Sequence, residues 1–323
     1  MTTRVPVPRL GVLLLYVALA TSVGFSDYHA RTYPDLGFTQ YGPEVVSGTA
    51  EAPGRYRVLA PHLFDILSHA TPFAPVTDWL LFRWLCLLAA LLAGHLYLRT
   101  WFDDAHAVVG TVLVMALLPL TFTNSWPNPD HFTELVLFTL ACAAIARRSW
   151  PEFLILVALN AFNRETSAFL VLLWFVSGPL AARSNLIQTG VAGLLWATIT
   201  VALRWRLGYV AYDPWQIWQN IGWLTPLPAG FIGYKRIYGW FFIILLAPLF
   251  VLALRSWRSQ PRFARAASAI VAPLYLLVAC LFSSTIESRI FTALLPLLIP
   301  SVLFTLFPAT GSDAAPRPSG EAV

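Results

Sequence analysis

The sequence predicts an all-α polytopic membrane protein. It should have about ten transmembrane helices, both termini on the cytoplasmic side (N-in/C-in), and a long first outer loop carrying short interfacial helices. Three observations lead there. Of 323 residues, 58% are hydrophobic and only 11% charged, against about 45–50% apolar and about 25% charged in soluble domains. Apolar runs long enough to cross roughly 30 Å of hydrocarbon recur along the chain. Counted as alternating crossings, these runs place the arginines of the short loops on one side, as the positive-inside rule requires. The composition excludes a soluble enzyme, a disordered chain and a nucleic-acid-binding domain, although the pI is near 9.3. Cys86, Cys142 and Cys280 lie inside apolar runs at no metal-ligand spacing and read as small core residues.

The crossings run in order through Leu10–Phe25, Trp79–Tyr97, Ala107–Phe122, Phe132–Ala146, two passes within Pro151–Leu180, Leu186–Leu203, Ile237–Leu254, Ala267–Phe282 and Ile290–Phe307. No clear small-x-small cleavage site follows the first run, so it is kept as a pass and not a signal peptide. Pro151–Leu180 is interrupted by Asn163-Arg164-Glu165-Thr166. As a single pass it would send Arg183, Arg255, Arg258, Arg262 and Arg265 to the side opposite Arg147 and Arg148; as two passes it keeps all of them cytoplasmic. The first of these two passes is then too short to span, so its polar turn should sink below the outer surface, walled by protein or water. Residues 1–307 form a single transmembrane domain, with outer loops at about 26–76 and 204–236, and 308–323 form a disordered cytoplasmic tail. Leu59, Leu63, Ile66 and Leu67 have helical spacing, which predicts an interfacial helix in the first loop.

Under this topology the outer helix ends collect acids, amides and isolated arginines. These are Asp27, His29 and Arg31; Arg55 and Arg57; Asn128, Asp130, His131 and Glu134; Asn163, Arg164 and Glu165; and Glu287 and Arg289. Arginines on the disfavoured side need another reason to exist, and binding an anion such as phosphate is one. Structural explanations compete. Asn128-Pro129-Asp130 also fits a helix start, and Ser284-x-x-Glu287 fits a capping box that would leave Arg289 as an ion-pair partner. His62, Asp65 and His69 form a stripe that is either a metal site or the wet face of the interfacial helix. Arg83, inside the second pass, either snorkels or pairs with an acid. Asp103-Asp104 reads as a solvated turn. Phosphate-binding Gly-rich loops, HExxH and GxSxG are absent from the sequence.

These residues, in this order and on one side, resemble the GT-C superfamily of integral-membrane glycosyltransferases. The likeness rests on Ser26-Asp27-Tyr28 after the first pass, Tyr56-Arg57-Val58-Leu59-Ala60-Pro61 in the long loop and the acids Asp130 and Glu134. It rests further on Asn163-Arg164-Glu165-Thr166, and on Glu287-Ser288-Arg289 before a Leu/Pro-rich last pass. It covers roughly residues 10–307. It departs at Tyr28 and His29, where members often carry a second acid. The resemblance implies a bacterial inner-membrane enzyme that moves a sugar from a polyprenyl-phosphate donor to a glycan, lipid or protein acceptor on the outer face. Asp27 would be the catalytic base, and Arg57, Arg164, Arg55 and Arg289 would hold the donor phosphate. His29, Asp130, His131, Glu134, Asn163, Glu165 and Glu287 would bind acceptor or sugar, with Glu165 also orienting Arg164. A divalent metal cofactor stays open, the partners are the bilayer and the lipid-linked sugar, and nucleic acid is excluded. The alternatives are a lipid or small-molecule transporter or flippase, or a non-catalytic protein of the same fold.

Overall fold

The computed structural model describes residues 9–30, 37–121, 130–210, 215–222, 244, 246–283 and 288–307. Asn128, Glu287, most of the second outer loop beyond Gly222 and the tail 308–323 lie outside the described residues. Among those described, all regular structure is helical. In chain order these helices are α1 (Arg9–Ala30), α2 (Gly42–Val46), α3 (Leu59–Ala70), α4 (Pro75–Leu98), α5 (Asp104–Leu117), α6 (Asp130–Ala146), α7 (Trp150–Asn163), α8 (Ala168–Ser177), α9 (Arg183–Leu207) and α10 (Ile217–Gly222). They continue with α11 (Leu246–Arg255), α12 (Arg262–Ala266), α13 (Ala272–Phe282) and α14 (Leu294–Leu306). A π turn, Ala267–Val271, joins α12 and α13 into one rod.

Among the described residues, six helical stretches are long and apolar enough to cross a membrane: Leu10–His29, Pro75–Leu98, Asp104–Thr121, Arg183–Leu207, Arg262–Phe282 and Arg289–Leu306. The protein is therefore read as multi-pass and lipid-embedded. The expected passes Phe132–Ala146 and the two within Pro151–Leu180 fall on shorter helices, and of Ile237–Leu254 only the end, from Leu246, is described as a helix. At 1.5 Å per residue, the 17 residues of α6 span roughly 26 Å, the 14 of α7 roughly 21 Å and the 10 of α8 roughly 15 Å.

Between α7 and α8 the chain reverses. Arg164 is extended (φ −159°, ψ 148°), and a single 3₁₀ turn, Glu165–Ser167, follows it. The reversal shows in the packing. Trp174, near the end of α8, stacks on Phe153 near the start of α7, with ring centroids 4.6 Å apart, and lies 5.2 Å from Trp150. Arg148, just before α7, donates to the Trp174 carbonyl and to Asn185 Oδ1 at the start of α9. The starts of α7 and α9 and the end of α8 thus share one end of the bundle, and the turn Asn163–Ser167 lies at the other, with Asn163, Arg164 and Ser167 buried. The two-helix division of Pro151–Leu180 matches this hairpin.

The stretch Arg289–Leu306 is 83% buried and forms the axis of the bundle, whereas α9 is only 6% buried and stands at its edge. The axis contains Pro300, which has no N–H to donate to the carbonyl four residues back. That carbonyl, Pro296 O, instead accepts the Tyr97 hydroxyl from α4 at 2.9 Å. In a dry interior an orphaned carbonyl costs roughly 1–3 kcal/mol, so the proline kink and the tyrosine form one unit. Tyr97→Phe should lower stability by about that amount in a detergent thermal melt. Tyr97→Phe combined with Pro300→Ala, which restores the intrahelical donor, should recover much of the loss. Equal melts for Tyr97→Phe and the parent would refute the coupling.

Candidate functional site

Helix direction decides which polar residues meet. Helices α1, α7 and α9 end, and α4, α6 and α8 begin, at the same end of the bundle, where Ser288–Ala293 also leads into α14. Asp27, Arg57, Arg83, Asp130, His131, Glu134, Asn163, Arg164, Glu165, Arg204 and Arg289 therefore gather there.

Asp130 is the hub. It is fully buried, and three guanidinium groups face it: Arg57 at 3.4 Å, Arg164 at 3.5 Å and Arg289 at 3.7 Å. Beneath it, Arg164 Nη1 pairs with Glu134 Oε2, and Thr166 donates to Glu134 Oε1 at 2.6 Å. Above it, Glu165 bridges two cations, Arg57 at 3.5 Å and Arg204 at 3.9 Å. Arg57, Glu165 and Arg204 keep 13%, 29% and 26% of their side-chain area exposed, so this trio is the open rim of the cluster. Burial and Arg164 both act to lower the Arg57 pKa, but Glu165 and Asp130 more than offset them and the net shift is upward. Arg57 is therefore a fixed cation at neutral pH. Tyr41, on the π turn Gly37–Tyr41, lies in the field of the same charges, and burial followed by the Asp130 charge raises its hydroxyl pKa.

Asp27 forms a second, deeper unit. Arg83 Nε and Nη2 both reach Asp27 Oδ2, at 2.6 and 2.5 Å, and both side chains are nearly inaccessible. The Arg83 guanidinium sits 4.4 Å from the Phe132 ring centre and 5.2 Å from that of Trp79. Its Nη2 lies 3.2 Å from His131 Nε2. A guanidinium can only donate, so in this contact His131 Nε2 accepts.

Several expectations are corrected by this geometry. Asp27 is not an open base but half of a buried ion pair. Arg164 does not hold its fork free for phosphate; Glu134 and Asp130 occupy it. Glu134 has both oxygens engaged and is not available to an acceptor or an ion. Glu165 orients Arg57 and Arg204, not Arg164. Arg55 is a tether: its Nε donates to Ala50 O and its Nη1 to Leu207 O at the end of α9. His131 serves Arg83. His29 is exposed and packs on Phe25, 4.2 Å between centroids, away from the cluster. Asp130, Asn163 and Arg289 do converge, with Asn163 Nδ2 donating to Asp130 O at 3.1 Å, and Glu287 lies outside the described residues. His62 and His69 bond their own helix carbonyls on exposed positions of α3, as a wet face does.

The sequence gives no sign of Arg204, gives Thr166 no role within its motif, and names no particular acid for Arg83. A signal existed for Arg83: a buried cation in a pass demands an acid at matching depth, and Asp27 stands at that depth on the neighbouring pass. Among the described residues no group of three His, Cys, Asp or Glu side chains forms a metal site. The donor set agrees, since Asp130 and Glu134 already face arginines and would present a divalent cation to their positive charge. No protein-family model, curated protein or solved structure matches this chain.

Breaking a buried pair by removing one partner costs about 3–5 kcal/mol, while replacing both is tolerated far better. Arg83→Met should therefore sharply lower the thermal midpoint, and Asp27→Leu should do likewise. The double variant should be markedly more stable than the sum of the singles predicts. Strict additivity in this cycle would mean that the pair carries no coupling.

Proposed function

We propose that this chain is a membrane glycosyltransferase of the GT-C type, transferring a sugar from a polyprenyl-phosphate carrier to an acceptor. In this reading the chain crosses a bacterial inner membrane ten times, with both termini cytoplasmic and the ionic cluster at the outer face. One observation carries the reading: the same buried cluster holds unmet donors and unmet acceptors. Arg57 Nε, Arg164 Nε, Asp130 Oδ1 and Glu165 Oε1 face opposite charges at 3.5, 3.5, 3.7 and 3.9 Å without making hydrogen bonds, and Asn163 Oδ1 makes none either. Buried groups left without hydrogen bonds are rare, and an occupant would complete them. A sugar phosphate complements both kinds, with oxyanions for the guanidinium groups and hydroxyls for the carboxylate and amide oxygens. A purely apolar or purely anionic ligand complements at most one.

The rim supplies the chemistry. A phosphate drawn to Arg57 and Arg204 competes with Glu165 for both cations. Glu165, released from them, accepts the acceptor's hydroxyl proton. The acceptor oxygen then bonds to the anomeric carbon as the carbon–oxygen bond to phosphate breaks, and the leaving phosphate stays on the two arginines. The base role thus passes from Asp27 to Glu165, which is the more exposed of the two carboxylates. No step is routed through a metal.

The test is transfer by the purified protein from polyprenyl-phosphate sugars, with mass-spectrometric identification of any co-purifying lipid-linked sugar. Glu165→Gln should reduce transfer by at least about a hundredfold, in the range of general-base catalysis, while donor binding survives. Arg57→Lys, which keeps the charge but loses the paired donors, should weaken donor binding instead. Full activity in Glu165→Gln would remove it as base. Failure of the parent protein to bind any polyprenyl-phosphate sugar would end the glycosyltransferase reading.

A further inference from the structure

The opposite end of the bundle has a different charge balance. Its described acids are all engaged: Asp104 with Arg99, Asp103 with His106 and Glu152 with Arg147. Beyond them Arg148, Arg183, Arg255, Arg258, Arg262 and Arg265 gather at the same end, and the sequence holds no Asp or Glu from 214 to 286. At the edge of this surplus lies a shallow, open cleft. The turn Leu254–Ser259 alone lines this hollow of about 350 Å³, with Arg255, Trp257 and Arg258 among its walls. Arg255 and Arg258 are exposed.

The cleft is held rigid from behind. Gln260, 4% exposed, donates through Nε2 to Ala253 O at 2.8 Å and to Ser301 O at 3.3 Å, tying the turn to α14. Ser256 Oγ and Thr305 Oγ1 are 2.6 Å apart, and Thr305 donates to Leu252 O at 2.6 Å. Three hydrogen bonds to Ser301 and Thr305 thus fix the turn and the end of α11 on the bundle axis, a fourth ties the turn to α11, and the two arginines are exposed. Immediately before the cleft, α11 presents Val251 and Leu254, which are 67% and 44% exposed. These positions fall at i and i+3, on one helical face. An apolar stripe for a hydrocarbon chain therefore ends in a cationic cleft, beside a half-exposed indole of the kind that settles at headgroup depth.

We propose that this cleft binds the headgroup phosphate of an anionic phospholipid, with an acyl chain lying along the Val251–Leu254 face of α11. A free phosphate would use the arginines but gain nothing from the stripe. A zwitterionic lipid would use the stripe but bring its own cation against Arg255 and Arg258. Only the anionic amphiphile satisfies both halves. The site lies at the far end from the ionic cluster and does not depend on the sugar-transfer reading.

The full chain, purified in a neutral detergent, is titrated with phosphatidylglycerol, phosphatidylcholine or inorganic phosphate, and bound lipid is counted by native mass spectrometry. Phosphatidylglycerol should bind in clear preference to phosphatidylcholine, and millimolar inorganic phosphate should not displace it. Arg255→Gln with Arg258→Gln should weaken phosphatidylglycerol binding about thirty-fold, from roughly 1 kcal/mol per basic residue at an anionic lipid surface. Its thermal midpoint in lipid-free detergent should be unchanged, because both side chains are exposed. Arg147→Gln, at the same end but paired with Glu152, should have little effect. Equal binding of the two lipids, displacement by inorganic phosphate, unchanged binding in the double variant, or an equal loss in Arg147→Gln would each overturn the proposal.

Discussion

The matching of buried arginines to buried carboxylates at one end of the bundle is the constraint on which the rest of the structure depends. Inside a lipid-embedded bundle, apolar surface gives helices little preference for each other over acyl chains. A guanidinium out of water, by contrast, is tolerated only where an acid meets it. Five arginines (Arg57, Arg83, Arg164, Arg204 and Arg289) meet four acids (Asp27, Asp130, Glu134 and Glu165) here. They come from α1, the first loop, α4, α6, the α7–α8 turn, α9 and the entry to α14. Sliding any one of these helices by a turn, about 5.4 Å, would leave at least one charge unmatched. The pairs therefore set the register that apolar packing alone leaves loose.

The two halves of the network differ in kind. Asp27 and Arg83 are in close contact between two aromatic rings and form a closed latch between α1 and α4. Thr21, one turn and a half earlier on α1, accepts from Trp84 at 3.1 Å, so the same helix pair is fastened twice. The Asp130 hub is looser, with no guanidinium nearer than 3.4 Å and one carboxylate oxygen without a hydrogen bond. A latch of the first kind adds stability and register. A hub of the second kind matches charge while leaving hydrogen-bonding capacity unspent.

Much of the fold was legible in the sequence, for physical reasons. Apolar runs must be helical in lipid, because no other open element satisfies its own backbone, and each expected run falls on a helix where residues are described. The hairpin in Pro151–Leu180 was legible because arginine placement allows only one parity. The pairings were less legible. Asp27 and Arg83 lie 56 residues apart and Arg164 and Glu134 lie 30 apart, and charge on one side of a membrane does not say which acid meets which base. Counting Arg164 as free for phosphate treated each arginine alone. It overlooked that Glu134, one helical turn along from Asp130, points to the same neighbour. Arg204 escaped notice because it was placed at the start of a loop, whereas α9 continues through it to Leu207.

Charge balance separates the two ends of the molecule more sharply than side of exposure does. At the hub, acids and arginines nearly cancel, and the field is confined to short range by mutual pairing. At the far end the few acids are spent on local partners, and the remaining arginines sum to a broad positive field. Pairing buries charge, so the first end can be sealed by the first loop, with Tyr56 accepting from Val210 N and donating to Gly208 O at 3.0 Å. An unpaired surplus must stay in contact with water or anions, so the far end has to remain open. One end is therefore closed by its own ion pairs, and the other stays open. The same residue type, arginine, serves both because its partner, and not its own charge, decides what it does.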